Sequence, residues 1–379
     1  MDKMFKRTLL GAAVAMAAVG VQAAQLTDNV QLYGQAAGNL YFESKGDSAK
    51  DDTVGVEIES RIGLRGTQSF NNFGPDFVWQ IETSNAYNGD TGGQFGGRDT
   101  YLGLAFDGVG TVKVGRQLIS IYDYVDWPHS NPGLGNVFDW HNALSVNDKG
   151  EIVGYGYQDR ADHVIRFDSA DYSGFKYSLS ASKMNESTDN AVVSFALAYN
   201  AERFGIHGGA YLGSKEEKKT AAKKAYYEFN TETGLAVLKP ATAAKIDESQ
   251  AAYYLVGGNV SITDKLSLTA AWKHMTNEVN NVERKQDAYS ATLAYWATSE
   301  WLFKAGYAAT TKAKFGGETQ AETDSQAITA RALYVLDPSA VLYFDIRNYD
   351  MMTATEGDDK GKADANDQTR FLLGVEYYF

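Results

Sequence analysis

Histidine, the side chain most suited to proton transfer near neutral pH, occurs five times, at positions 129, 141, 163, 207 and 274. These positions fall in unrelated stretches. None has a spacing that would bring an imidazole to a nucleophile, and no His/Asp cluster has the spacing of metal ligands. The sequence is therefore read as that of a non-enzyme without a cofactor. Its chemistry lies instead in charge and in aromatic faces. Glu57, Glu59, Arg61 and Arg65 alternate with Val56, Ile58, Ile62 and Leu64, so one face of that segment carries both signs of charge. Trp127, Phe138 and Trp140 share a single irregular stretch with His129 and His141. Such faces can stack on a pyranose ring, or they can pin the stretch against a neighbouring surface.

The elements that must position these groups are strands. The last ten residues, Arg370-Phe-Leu-Leu-Gly-Val-Glu-Tyr-Tyr-Phe379, place Phe371, Leu373, Val375, Tyr377 and Phe379 on one face and Gly374 and Glu376 on the other. The same two-residue period recurs along the chain. It is found near 30–43, 54–67, 77–81, 98–106, 111–117 and 161–169, then near 174–184, 190–200 and 203–213, and again near 251–262, 265–275, 287–298, 300–310, 326–336 and 340–349. With the last segment this makes sixteen. Outward sets such as Trp301, Phe303, Ala305 and Tyr307 stay apolar, while inward partners, including Lys304, Arg331, Asp345 and Arg347, stay polar. All five prolines fall in turns or loops. Two long interruptions stand out, 118–157 and 214–250, the second holding a short hairpin around Asn230-Thr-Glu-Thr.

The N-terminus is of another kind. Lys3, Lys6 and Arg7 precede a short apolar run that ends in Val21-Gln-Ala23, the pattern of a secretory signal peptide cut after Ala23, so residues 1–23 are set aside and 24–379 form one domain. No later stretch is long and apolar enough to span a bilayer as a helix. The exported chain either is soluble or crosses a membrane as β-structure. It contains no cysteine, which excludes a disulfide framework and thiolate metal sites. The net charge of −13 becomes about −15 once the net +2 of Asp2, Lys3, Lys6 and Arg7 is removed, and this argues against nucleic acid as a partner. A closed antiparallel barrel of sixteen strands, with short turns at one end and long polar loops at the other, satisfies every pattern, and its size leaves a watery bore.

Several blocks resemble the general porins of Gram-negative bacteria. They are Val30-Gln-Leu-Tyr-Gly34, Ser60-Arg-Ile-Gly-Leu-Arg-Gly-Thr-Gln68, Tyr101-Leu-Gly-Leu104, Gly110-Thr-Val-Lys-Val-Gly-Arg-Gln117 and Arg160-Ala-Asp-His-Val-Ile-Arg-Phe-Asp-Ser169. The resemblance spans the chain after the signal and is densest from 30 to 185. It implies an all-β, 16-stranded transmembrane barrel in the outer membrane, a homotrimer, a terminal Phe379 read by the barrel-assembly machinery, and a third long loop folded into the lumen. By the same resemblance Arg61, Arg65 and Arg98 form a basic wall, and loop acids face them across the bore. Parity supports Arg61 and Arg65. If Arg98 is also inward, parity turns Leu102 and Leu104 inward and Tyr101, Gly103 and Ala105 outward, while Arg116 stays outside the lumen. Two departures from the family pattern matter. Gln35 stands where enteric members carry a base, and Pro128-His-Ser-Asn-Pro-Gly-Leu-Gly135 replaces their acidic loop motif; the acids nearest it are Asp123 and Asp126, with Asp139 further on, and which of them reaches the constriction stays open.

The expected function is passive diffusion of ions and small hydrophilic solutes, mildly favouring cations because of the net acidity. Two other readings stand beside it. One is a saccharide-preferring channel that stacks solute on Trp127 and Trp140; the other is a barrel whose loops serve as adhesin or phage receptor. Acidic runs at 46–52 and 356–359 are read as solvated loops that divalent cations could bridge to lipopolysaccharide.

Overall fold

A computed structural model describes residues 24–45, 51–86, 94–126, 129–140, 142–146, 152–153, 157–184, 190–220, 226–230, 235–239, 245–352 and 367–379. Sixteen strands form one closed antiparallel barrel. They are β1 (Val30–Ser44), β2 (Thr53–Ile58 continued as Arg61–Phe70), β3 (Phe73–Glu82), β4 (Thr100–Phe106), β5 (Gly110–Leu118), β6 (Arg160–Ser169), β7 (Phe175–Ser182) and β8 (Val192–Asn200). The second half comprises β9 (Phe204–Gly213), β10 (Lys245–Ser261), β11 (Leu266–Val279), β12 (Val282–Trp296), β13 (Trp301–Thr310), β14 (Gln326–Asp337), β15 (Ala340–Asp350) and β16 (Gln368–Tyr378). Each strand pairs with its sequence neighbours, and β16 closes on β1 in continuous register from Gln35 opposite Tyr378 to Ser44 opposite Thr369. The seam ends in two reciprocal backbone bonds between Gly34 and Phe379, of 2.8 and 3.1 Å. A short strand, Ala24–Thr27, pairs with the first residues of β1 beyond that point. Closure leaves the barrel wall no free edge.

Alternation sorts the side chains as the sequence requires. Leu40, Val56, Leu102, Phe195, Trp301, Phe303, Phe344 and Leu373 are exposed on the outer face. A belt of this kind exceeds what a water-soluble monomer shows, and lipid is the solvent it fits. No helix among the described residues is long and apolar enough to cross a membrane, so the strands are what cross. Short turns at 71–72, 107–109, 201–203, 297–300 and 338–339 gather at one end, and most connections at the other end are long.

Three expectations on strand extent and parity need correction. Pro75, expected in a turn, lies near the start of β3, which follows a turn of only two residues. β11 and β12 do not stop near 275 and 287. They run on to a two-residue turn at Asn280 and Asn281, whose φ values of 51° and 63° are those of a tight hairpin turn. Residues 276–286 are largely polar, so no apolar face marks the ladder where it rises out of the bilayer. Leu102 and Leu104 were tied to Arg98 by parity, but β4 begins only at Thr100. Leu102 faces out, Gly103 is buried, and the Tyr101 hydroxyl lies 3.4 Å from Gln80 Oε1 on the inner face. Alternation does not extend back through the irregular segment that carries Arg98.

Candidate functional site

The lumen is divided by the segment between β5 and β6. From Ile119 it turns inward through a short 3-10 helix, Ser120–Tyr124, and later a π-helical turn, Asn136–Trp140. Ile119, Ile121, Leu134, Val137, Phe138 and Leu144 are at most 1% exposed, packed on inward residues of the wall that include Ala196, Tyr211, Tyr253, Leu255, Ala271, Met275, Ala288 and Ala308. Each such side chain contributes about 1.5–3 kcal/mol on burial. The wall makes room by omission: a Cβ on Gly209 would sit 2.7 Å from Ile121 Cδ1, and one on Gly306 would sit 2.7 Å from Leu134 Cδ1.

Polar staples complete the docking. The backbone N–H groups of Ser120 and Ile121 donate to Ser180 Oγ and Ser194 Oγ at 3.0 and 2.9 Å. Lys273 Nζ donates to the Asp139 carbonyl at 2.9 Å, and Tyr349 donates its hydroxyl to the Gly133 carbonyl at 2.9 Å. His129 and His207 meet Nε2 to Nε2 at 2.8 Å, with the Tyr124 ring stacked on His207. Burial, and then the second imidazole, push His129 down to about 3, so the docked loop holds it neutral.

The three loop carboxylates among the described residues are engaged inside this packing. Asp123 pairs with Arg166 on β6, which is also held by Asp168 at 2.8 Å. Asp126 accepts from Ser130 Oγ at 2.6 Å, and Asp139 accepts from the Tyr122 hydroxyl at 2.5 Å. Burial pushes the Asp139 carboxyl up to about 7, against the pull of Lys273. None of the three lines the open passage, so among the described residues no loop acid stands opposite the basic wall that the resemblance implies. Trp127 lies outside the described residues, as does the side chain of Trp140.

Opposite the docked loop a passage of about 450 Å³ remains. Arg61, Arg65, Lys304, Arg331 and Arg347 line it together with Glu57, Glu59, Glu82 and Glu376, and of the described loop residues only Asn131 reaches it. Arg61 and Arg98 converge on Glu82 Oε1, at 3.6 and 2.5 Å, and the Tyr33 hydroxyl donates to the same carboxylate at 2.7 Å. Arg65 donates to Gln31 Oε1 at 3.1 Å and lies over the Tyr33 ring. On the same side of the barrel, on β14 and β15, Arg331 grips the fully buried Asp345 through two bonds of 2.6 and 2.8 Å, and Arg347 shares that carboxylate at 2.6 Å. Lys304 reaches Asn131 Oδ1 at 3.0 Å. Tyr343, Tyr378 and Trp296 stand among these charges. The inward parity of Lys304, Arg331, Asp345 and Arg347 was legible in the sequence. Their convergence on the loop tip was not, because it depends on which side of the bore the loop chooses. Arg116 keeps the outward parity of Val112 and Val114 and pairs with Asp162 at 2.9 Å.

The arrangement offers water, paired charges and flat aromatic edges along a bore, without a cluster of three or more metal-ligating side chains among the described residues. It can conduct and sieve. Comparison with known proteins agrees. The Gram-negative porin family matches residues 11–354. The chain is 35% identical over 341 residues to the chitoporin of Vibrio furnissii, covering 86% of this chain and 88% of that one. It is 23% identical over 343 residues to the major outer membrane protein P.IB of Neisseria sicca, covering 85% and 88%. Among solved structures, the anion-selective porin from Comamonas acidovorans superposes with a TM-score of 0.65 at 18% identity, over 92% of this chain and 99% of that one, which speaks for the fold alone. The chain belongs to the Gram-negative porin family and forms a channel of the outer membrane.

Proposed function

We propose that this channel favours neutral, hydroxyl-rich solutes, with oligosaccharides of the chitin class as its preferred cargo alongside small ions. The observation that carries the reading is the near balance of charge in the passage. Five cations face four lining carboxylates, with Asp345 held between two of the arginines, and Tyr343, Tyr378 and Trp296 are interspersed among them. A neutral sugar loses little by leaving water for such a lining, because edge hydroxyls find both donors and acceptors while its apolar faces meet rings. The extensive identity to a chitoporin supports the same solute class. Trp127 and Trp140 of the loop are the further stacking side chains of this reading.

The test is single-channel current in a planar bilayer with N-acetylglucosamine oligomers added, against maltose oligomers of equal length. Transient blocking by the first series at lower concentration supports the reading, and equal or absent blocking contradicts it. Arg61 and Arg98, with the Glu82 they share, and Arg65 beside them then act as an orienting lining. The net charge of the chain favours cations at the mouths, giving a mild cation preference measurable as a reversal potential in a salt gradient. Assembly as a homotrimer, contacts with lipopolysaccharide and recognition of Phe379 by the barrel-assembly machinery complete the proposal. Cross-linking in native membranes tests the trimer.

A further inference from the structure

Three tyrosines of the inner wall share one construction. Tyr33, Tyr41 and Tyr343 each stand directly opposite a glycine of the adjoining strand: Gly63, Gly55 and Gly374. In each pair the ring lies down over the glycine. A Cβ on Gly63, Gly55 or Gly374 would fall 2.3, 2.4 or 2.2 Å from the tyrosine Cζ, so no other residue leaves the ring that place. On each ring rests a guanidinium from a diagonal position of a paired strand. Arg65 lies 4.9 Å from the Tyr33 centroid, Arg370 4.9 Å from Tyr41 and Arg331 4.2 Å from Tyr343. Three independent places in the barrel repeat the same stack of glycine, ring and cation.

The stacks differ in what else holds the cation. Arg331 is locked on Asp345, and Arg370 on Glu43 and Glu57. Arg65 has no carboxylate within 4.0 Å among the described residues; its contacts are Gln31 and the ring. A cation over a ring face is held with a defined plane, and the hold grows as water is excluded. A long arginine without it would sweep several rotamers or swing toward an acid of the same lining, such as Glu82 at the Tyr33 hydroxyl.

We propose that Tyr33, seated in the slot left by Gly63, is a positioning residue that fixes the Arg65 charge flat against the wall and thereby sets the ion preference of the passage. Tyr41 and Tyr343 repeat the device where salt bridges already fix the arginine. The inference rests on the lumen conducting ions and not on which solute it favours.

The experiment is the reversal potential in a potassium chloride gradient, with heat-modifiable gel mobility confirming a folded barrel. Arg65→Gln removes the charge and is expected to move the potential toward cations. Tyr33→Leu, which leaves every charge in place, is expected to reproduce most of that movement as Arg65 withdraws onto Glu82. Tyr33→Phe keeps the ring and is expected to stay at the wild-type value. Gly63→Ala, which lifts the ring, should follow Tyr33→Leu, and Tyr343→Leu should shift less than Tyr33→Leu. Three results would overturn the proposal: Tyr33→Leu indistinguishable from wild type, Tyr33→Phe shifting as far as Tyr33→Leu, or Arg65→Gln leaving the potential unmoved. Should Gly63→Ala fail to fold, the tyrosine pair decides. Oligosaccharide blocking can fail in all of these variants without affecting the outcome, which keeps this inference separate from the solute reading.

Discussion

The two sides of the lumen are built from the same alternating strands and end in opposite states. Along β7 to β13 many of the inward residues under the loop are small or apolar, among them Ser180, Ser194, Ala196, Gly209, Gly257, Ala271, Ala288 and Ala308, with Lys273 and His207 as polar exceptions bonded to the loop, and the loop lies on them with Ile121, Leu134 and Phe138 fully buried. On β1 to β3 and β14 to β16 the inward residues include Tyr33, Glu57, Glu59, Arg61, Arg65, Arg331, Asp345 and Arg347, and the bore stays open. Inward size and charge therefore decide where a loop can dock. A loop of apolar side chains needs a wall that is short enough to approach and does not have to be desolvated. The remaining side becomes the passage because its charges are costly to cover.

Changes on the packed side should have the largest effects. Phe138→Ala empties a fully buried site, and a loss of about 3–5 kcal/mol from loop docking is expected. Single-channel conductance should rise and the loop should become open to protease in detergent. On the open side, Asp345→Asn leaves Arg331 and Arg347 without their shared carboxylate, a loss of about 3–5 kcal/mol where a buried pair is broken. The barrel has many other contacts, so the expected readout is a reversal potential moved toward anions with conductance little changed.

The pH dependence sharpens the contrast, since the loop side carries groups that docking has shifted. His129 is held neutral, its value lowered from 6.5 to about 3, so the docked state binds fewer protons than the undocked one. Its contribution is complete above pH 6.5 and is lost as the pH falls toward 3. Asp139, raised from 3.8 to about 7, runs the other way: its contribution is complete below 3.8 and is lost as the pH rises through 7. Between pH 6.5 and 3.8 the two changes oppose each other, so current noise from loop motion should grow on acidification only below about pH 4, and His129→Gln should lessen that growth. The smallest effect is expected from Lys304→Ala, which removes one bond to Asn131 at the loop tip, worth about 1 kcal/mol, and shifts selectivity slightly toward cations.

Much of the barrel was legible in the sequence because lipid and water enforce a period of two. Strand order, the closing role of the last strand and the inward faces all follow from it. Where that constraint ends, legibility ends too. Strands β11 and β12 continue past the bilayer on polar residues up to Asn280 and Asn281, and no apolar alternation marks the continuation. Arg98 reaches Glu82 from outside any strand, so parity said nothing of its side. Which of Asp123, Asp126 and Asp139 reaches the bore is not legible in the sequence, because the loop's own fold, which pairs them with Arg166, Ser130 and Tyr122, has no periodic signature. The small inward residues of β7 to β13 were present in the sequence as a docking signal. Reading them needed the question of what covers the inner wall, as well as what faces lipid.

The division of the lumen can be tested most directly by exploiting the absence of native cysteine. Gln35→Cys places a thiol in the passage and Ala196→Cys places one beneath the loop. A bulky water-soluble thiol reagent should block single-channel current in the first variant and leave the second unchanged. Block in both, or in Ala196→Cys alone, would contradict a bore filled on one side and conducting on the other.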